Sequence, residues 1–145
     1  MYKKTQIGKL LISIVSFTVL ITAIGGTLAL EYLSLAPTVI LYSISGILLI
    51  CLMLFSTLTI VVESNLITIR YGIGLIRKRI QIDQLDSWQA IEYKGGHGWG
   101  PRLTSEGWFF NVAESGAVRL NYKNGKVFFF GTNEPKKVID ALDSK

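Results

Sequence analysis

LLISIVSFTVLITAIGGTLAL, residues 10–30, and YLSLAPTVILYSISGILLICLMLFSTLTIVV, residues 32–62, are separated by a single residue, Glu31. The first run holds 21 residues and the second 31, and neither contains a charged side chain. A bilayer core about 30 Å thick is crossed by roughly 20 apolar residues of helix. The two runs therefore read as a transmembrane hairpin with a very short outer turn. A 145-residue chain makes one modest core, which cannot enclose two helices that are apolar all round. The remaining residues, Glu63–Lys145, carry spread charges and glycines and read as a domain held at the membrane surface.

A secretory signal is the nearest rival for the first run, with Lys3, Lys4 and Lys9 as its basic region. Its apolar stretch is too long for that, and Ala29-Leu-Glu31 is a poor cleavage site. A retained span is the expectation. Ser13, Ser16, Thr18, Thr22 and Thr27 can return hydrogen bonds to their own backbone or across to the second helix. Gly25-Gly26 permits close helix contact, within the hairpin or between copies in a homo-oligomer. Neither run contains Asp, Glu, Lys, Arg or His, the residues that mark an intramembrane pathway. Cys51, the single cysteine, has no partner for a disulfide and reads as packing.

The turn is placed at Glu31–Pro37, with Pro37 opening the second helix near Thr38. From Thr38 to Val62 a helix would exceed the hydrocarbon thickness at 1.5 Å per residue. Thr57-Leu-Thr-Ile-Val-Val62 is rich in β-branched residues and suits a strand instead. The second span then ends near Phe55–Leu58 and a strand follows with almost no linker. The division is a tail and hairpin at 1–56 (spans about 10–30 and 38–56) and a β domain at 57–145. Of the 15 Lys and Arg, three precede the first run and 12 follow Glu63. The positive-inside rule puts both termini in the cytoplasm, at the inner face of the cell membrane.

Beyond Glu63 the pattern alternates. Strands are expected at 66–71, 75–82 and 87–94, and at 108–113, 117–122 and 126–131, beside the strand at 57–62. Gly95–Gly107, rich in glycine, is expected to be a loop. Asn124-Gly125 is the strongest hairpin signal, and the last three strands are expected to form a meander. Thr132 or Asn133 can cap a final helix with Glu134 and Pro135 in its first turn. Its apolar stripe, Val138, Ile139, Ala141 and Leu142, should lie on the sheet. Seven antiparallel strands and one terminal helix make a small sandwich or partly open barrel.

This order of elements resembles the pleckstrin-homology (PH) fold. It is similar to small bacterial membrane proteins in which a PH-like domain follows a transmembrane hairpin. The likeness rests on Val62-Glu-Ser-Asn-Leu-Ile-Thr-Ile-Arg-Tyr-Gly-Ile-Gly74, on Gly95-Gly-His-Gly-Trp-Gly-Pro-Arg102, and on Gly107-Trp-Phe-Phe-Asn-Val112 followed by Ala117-Val-Arg-Leu120. Gly98-Trp-Gly-Pro-Arg102 and Gly131-Thr-Asn-Glu-Pro135 fit its short motifs, with Asn133 in an acidic place. The resemblance implies a PH-like interaction domain and no specific ligand.

Arg77-Lys-Arg79 is a basic cluster on a strand, suited to anionic lipid headgroups at about 1 kcal/mol per residue, against the plainer reading of topology control and solubility. In a strand Arg77 and Arg79 share a face and Lys78 opposes them. Trp99 and Arg102 are the candidate contacts for a lipid or protein partner, against the plainer reading of a plug for the barrel end. His97 is the only histidine and lacks company for a metal site. No nucleophile and base are paired, and no cofactor is implied. The net charge of Glu63–Lys145 is only +3, 12 basic less nine acidic residues, which argues against nucleic acid. A non-enzymatic membrane protein with a regulatory or interaction domain is expected. The alternatives are a structural or transport accessory acting through the hairpin and, less favoured, a lipid-surface enzyme.

Overall fold

The computed structural model describes residues 1–92, 100–112 and 116–144. The chain opens with strand β1 (Tyr2–Ile7), then helices α1 (Lys9–Tyr32) and α2 (Leu35–Phe55), and then β2 (Thr57–Val62) and β3 (Leu66–Tyr71). Next come β4 (Arg77–Gln81), a short 3-10 turn, β5 (Leu85–Glu92), β6 (Gly100–Leu103) and β7 (Gly107–Asn111). β8 (Gly116–Tyr122), β9 (Val127–Gly131) and helix α3 (Pro135–Asp143) complete it.

Both apolar runs are helical. They are long and apolar enough to cross a membrane, and only 6% and 11% of their most apolar stretches are buried by the rest of the chain. The hairpin turn is tighter than 31–37, with only Leu33 and Ser34 between the helices. Leu35 and Ala36 are helical despite the bias before proline, because Pro37 sits in the first turn, where its missing N–H is no loss. Thr22 and Ser45 hydroxyls meet at 2.7 Å between the helices. Ser13, Thr18, Thr22 and Thr27 donate back to carbonyls three or four residues earlier. The Tyr42 ring lies so close to Gly26 that a Cβ there would stand 3.2 Å from it. Small residues thus set the helix spacing.

α2 ends at Phe55 and β2 starts at Thr57, so the strand does follow almost directly. The N-terminal segment, by contrast, is not a tail. β1 pairs antiparallel with β2 from Tyr2↔Val62 to Ile7↔Thr57, and the Gly8 N–H donates to the Ser56 carbonyl at 2.8 Å. The helical hairpin is therefore the connection between two adjacent strands, and both of its ends meet one sheet.

Among the described residues nine strands replace the expected seven, in two sheets ordered β1-β2-β3-β4 and β5-β8-β9-β7-β6. The two extra strands are β1 and β6. β6 lies within the expected loop and pairs with β7 through a turn in which the Thr104 N–H and hydroxyl both donate to the Gly107 carbonyl. The expected meander is also corrected. β8 and β9 do form a hairpin across Asn124-Gly125, but β7 lies parallel to β9 on its other side. A Cβ at Gly107 would collide with the Val127 carbonyl oxygen, so glycine permits that parallel approach.

The core lies between the sheets. Leu58, Ile60, Val62, Ile67, Ile69, Tyr71 and Ile80 from the first meet Phe110, Val118, Leu120, Phe128 and Phe130 from the second. α3 buries Val138 and Leu142 against it, while Trp88 Nε1 on β5 donates to Asp143 at 2.7 Å. Gln6, 3% exposed, stitches the sheets together. Its amide donates to the Gly131 carbonyl and accepts from the Asn133 N–H, each at 3.1 Å. Replacing Gln6 by Ala removes the buried hydrogen bond to the Gly131 carbonyl and the half-buried one from the Asn133 N–H, at about 1–3 kcal/mol. A fall of several degrees in the thermal unfolding midpoint of the detergent-solubilised protein is expected. An unchanged midpoint would mean that β1 is not docked.

Candidate functional site

Alternation along the first sheet sends Leu58, Ile60, Ile67, Ile69 and Tyr71 inward and leaves an outer face open. The registers across four strands assemble that outer face row by row. One row is Thr5, Thr59, Arg70 and Arg77, and the next is Lys3, Val61, Thr68 and Arg79. Lys3, Arg70, Arg77 and Arg79 are all exposed, and among the described residues none of them makes an ion pair. Thr5 and Thr59 hydroxyls bond at 2.9 Å within the nearer row. A shallow cleft of about 340 Å³ follows this face, touched by Lys3, Thr68, Arg70 and Arg79, with Glu63 at its far end.

The expected cluster is thus placed on an edge strand, with Arg77 and Arg79 on the outer face. Lys78 is opposite Ile69, on the other parity, and is also exposed. The sequence reading missed Lys3 and Arg70. Both become visible only when Tyr2–Ile7 is recognised as a strand and the register is known. Arg70 and Arg77 are direct cross-strand partners. Like charges in that position are destabilising, by a few tenths of a kcal/mol to about 1 kcal/mol. Among the described residues no acid forms an ion pair with either arginine.

Arg102 lies on β6, at the edge of the second sheet, with its guanidinium 5.2 Å above the Phe109 ring. It belongs to a different surface from the β4 cluster. β6 begins beside the helices, where Leu11, Val15, Cys51 and Phe55 line a cleft of about 290 Å³ with Gly100 and Pro101. Cys51 packs in that cleft. Trp99 and His97 lie outside the described residues.

The junction between hairpin and sheets is aromatic. Tyr71, at the end of β3, stacks edge-on to Phe55, the last residue of α2, at 5.8 Å between centroids, and tilts against Phe110 at 5.3 Å. Its hydroxyl reaches the Asn111 carbonyl at 3.4 Å. Burial raises the Tyr71 pKa far above the ordinary phenol value, so it stays neutral. On the other side Lys4 and Lys137 bind Glu134 at 3.1 and 2.8 Å. The Lys137 and Lys4 hydrogen bonds hold its carboxyl below the usual range. This triad tethers β1 to the start of α3. Among the described residues no group of His, Cys, Asp and Glu could hold a metal.

No protein-family model, curated protein or solved structure matches the chain. The basic face therefore has to be understood from its own geometry. Arg77→Glu turns the Arg70–Arg77 repulsion into an attraction. It should stabilise the solubilised protein by about 0.5–1 kcal/mol, a rise of about 1–4 °C in melting midpoint. A lower midpoint would show that the two arginines are already compensated.

Proposed function

We propose that α1 and α2 span the cytoplasmic membrane and that the chain is a non-enzymatic membrane protein. In this reading both termini and a PH-like β domain lie on the cytoplasmic face. The observation that carries it is the direct junction of two uncovered apolar helices with a sheet whose outer face bears Lys3, Arg70, Arg77 and Arg79. Helices left bare by the rest of the chain are suited to lipid. β1 supports a retained first helix, since cleavage after it would remove the strand paired with β2. Because β1 and β2 share a sheet, the two ends of the hairpin belong on one side. The lysines and arginines of both ends make that side the cytoplasmic one. The two-sheet, helix-closed domain supports the PH-like reading in its elements, though its parallel β7–β9 pair departs from an all-antiparallel design.

The proposed task is to hold this domain against the anionic membrane surface, available to a membrane or cytoplasmic partner. Position decides which charges matter. The Arg70–Arg77 row is three residues beyond Ser56, about 10 Å along the strand. That is close to one Debye length at physiological salt. Two arginines at the surface itself contribute about 2 kcal/mol between them, of which screening over one Debye length leaves roughly a third. The Lys3–Arg79 row is a further ~7 Å away and contributes less. Arg102, on β6, and Trp99, which precedes that strand in the sequence, are the proposed contacts for a protein partner.

The binding of phosphatidylglycerol and phosphatidylcholine to the solubilised full chain tests this reading. Wild type should prefer the anionic lipid, and Arg70→Ala/Arg77→Ala should weaken that binding about threefold or more. Lys3→Ala/Arg79→Ala should have the smaller effect. Equal affinity for the two lipids would sink the headgroup reading. Photoreactive residues at Trp99 and Arg102 in native membranes should yield a discrete protein adduct; no adduct at either position removes the partner loop.

A further inference from the structure

The turn between β3 and β4 is Gly72-Ile-Gly-Leu-Ile76, and it contains no polar side chain. Turns ordinarily use Asn, Asp, Ser and Gly, and the chain follows that habit elsewhere. The β2–β3 turn is Glu63-Ser-Asn65, and the β8–β9 turn is Lys123-Asn-Gly-Lys126. The apolar turn is at one particular end of the first sheet. β2 leaves the helices at Thr57 and runs away from them, and β3 returns, so the β3–β4 turn comes back to the helices while the polar β2–β3 turn lies at the far end.

The return is close. The Gly72 N–H donates to the Thr57 carbonyl at 2.9 Å. A Cβ on Gly72 would collide with the carbonyl oxygens of Met53 and Leu54, in the last turn of α2, and its φ is +45°. Only glycine lets the turn sit there. The turn is also braced internally, by the Tyr71 N–H on the Ile76 carbonyl at 2.8 Å and the Gly74 N–H on the Tyr71 carbonyl at 2.7 Å. Ile76 packs on the core, whereas Ile73 and Leu75 are 64% and 73% exposed. Two large aliphatic side chains are thus held outward by a fixed turn level with the end of α2. Arg70 and Arg77, paired across the strands, flank it directly.

We propose that Ile73 and Leu75 insert into the bilayer interface as a third membrane contact. The inference rests on α1 and α2 spanning the membrane. α2 has 21 residues, about 31 Å of helix, so its last turn lies at the edge of a hydrocarbon layer about 30 Å thick. A turn touching Met53 and Leu54 shares that depth, and lipid is the occupant that meets both the helices and the turn. The aliphatic tip enters the acyl boundary and the two arginines take the phosphates just above it. This fixes the tilt of the sheet relative to the membrane, which a hairpin alone would leave to the junction.

Depth-dependent fluorescence quenching tests the proposal on the full chain carrying Cys51→Ala. Single cysteines at Leu75, at Ile73, at Asn65 in the far turn and at Ile47 midway along α2 are labelled with an environment-sensitive fluorophore. The proteins are reconstituted in phosphatidylcholine/phosphatidylglycerol vesicles carrying nitroxide lipids. The label at Leu75 or Ile73 should be blue-shifted and quenched best by a shallow nitroxide. The Ile47 label should be quenched best by a deep one, and the Asn65 label by neither. If Ile47 is quenched and both tip labels behave like Asn65, the insertion is wrong while the spanning hairpin stands. If Ile47 is not quenched, the spanning reading fails and the insertion fails with it.

Discussion

The pairing of β1 with β2 is the constraint on which the rest of the structure depends. One residue, Gly8, joins β1 to α1, and one residue, Ser56, joins α2 to β2; their backbones are themselves hydrogen-bonded. The hairpin cannot swing freely on such joints. Its two ends are fixed by six antiparallel residue pairs, and Tyr71 braces Phe55 against the second sheet. Closing so long a connection has an entropic cost that grows only slowly with length. Much of that cost is already met if the helices pair first, since Thr22, Ser45 and the Gly26–Tyr42 contact hold them together.

From that joint the placement of chemistry follows. Strands that begin at the helix ends distribute their outward side chains by distance from those ends. Arginines 70 and 77 fall in the nearer row and Lys3 and Arg79 in the farther. The β3–β4 turn is returned to the helix end, and the polar β2–β3 turn is at the far end of the same sheet. Gln6 and the Lys4–Glu134–Lys137 cluster then tie the first strand to the beginning of α3. A domain assembled in this way uses its N-terminal residues twice, as the approach to the first helix and as an edge of the sheet.

Much of this was legible in the chain. Continuous apolarity revealed both helices, and β-branching at Thr57–Val62 marked where helix gives way to strand. Asn124-Gly125 announced its hairpin, and strand parity placed Arg77 and Arg79 together. What escaped detection depends on contacts distant in sequence. Tyr2–Ile7 carries two lysines and a glutamine and looks like a solvated tail until β2 supplies a partner some 50 residues away. β6 is short and contains Gly100 and Pro101, so its only evidence is β7 beside it. The parallel union of β7 with β9 has no local signal, because Phe109-Phe110 and Phe128-Phe-Phe130 suit either direction. The basic face inherits the same limit: half of it was readable as a cluster, and Lys3 and Arg70 join through register alone.

The most direct test of the account uses the pair Thr5 and Thr59, whose hydroxyls meet at 2.9 Å. In a Cys51→Ala background, Thr5→Cys/Thr59→Cys is oxidised in native membranes. Opposed positions on an antiparallel ladder bring Cα atoms within disulfide range. An efficient intramolecular disulfide is predicted, and, when it is reduced, a thiol at the exposed position 5 that an impermeant reagent reaches only from the cytoplasmic side. Thiols that stay reduced under oxidation, or a position-5 thiol labelled from the opposite side of the membrane, would contradict it.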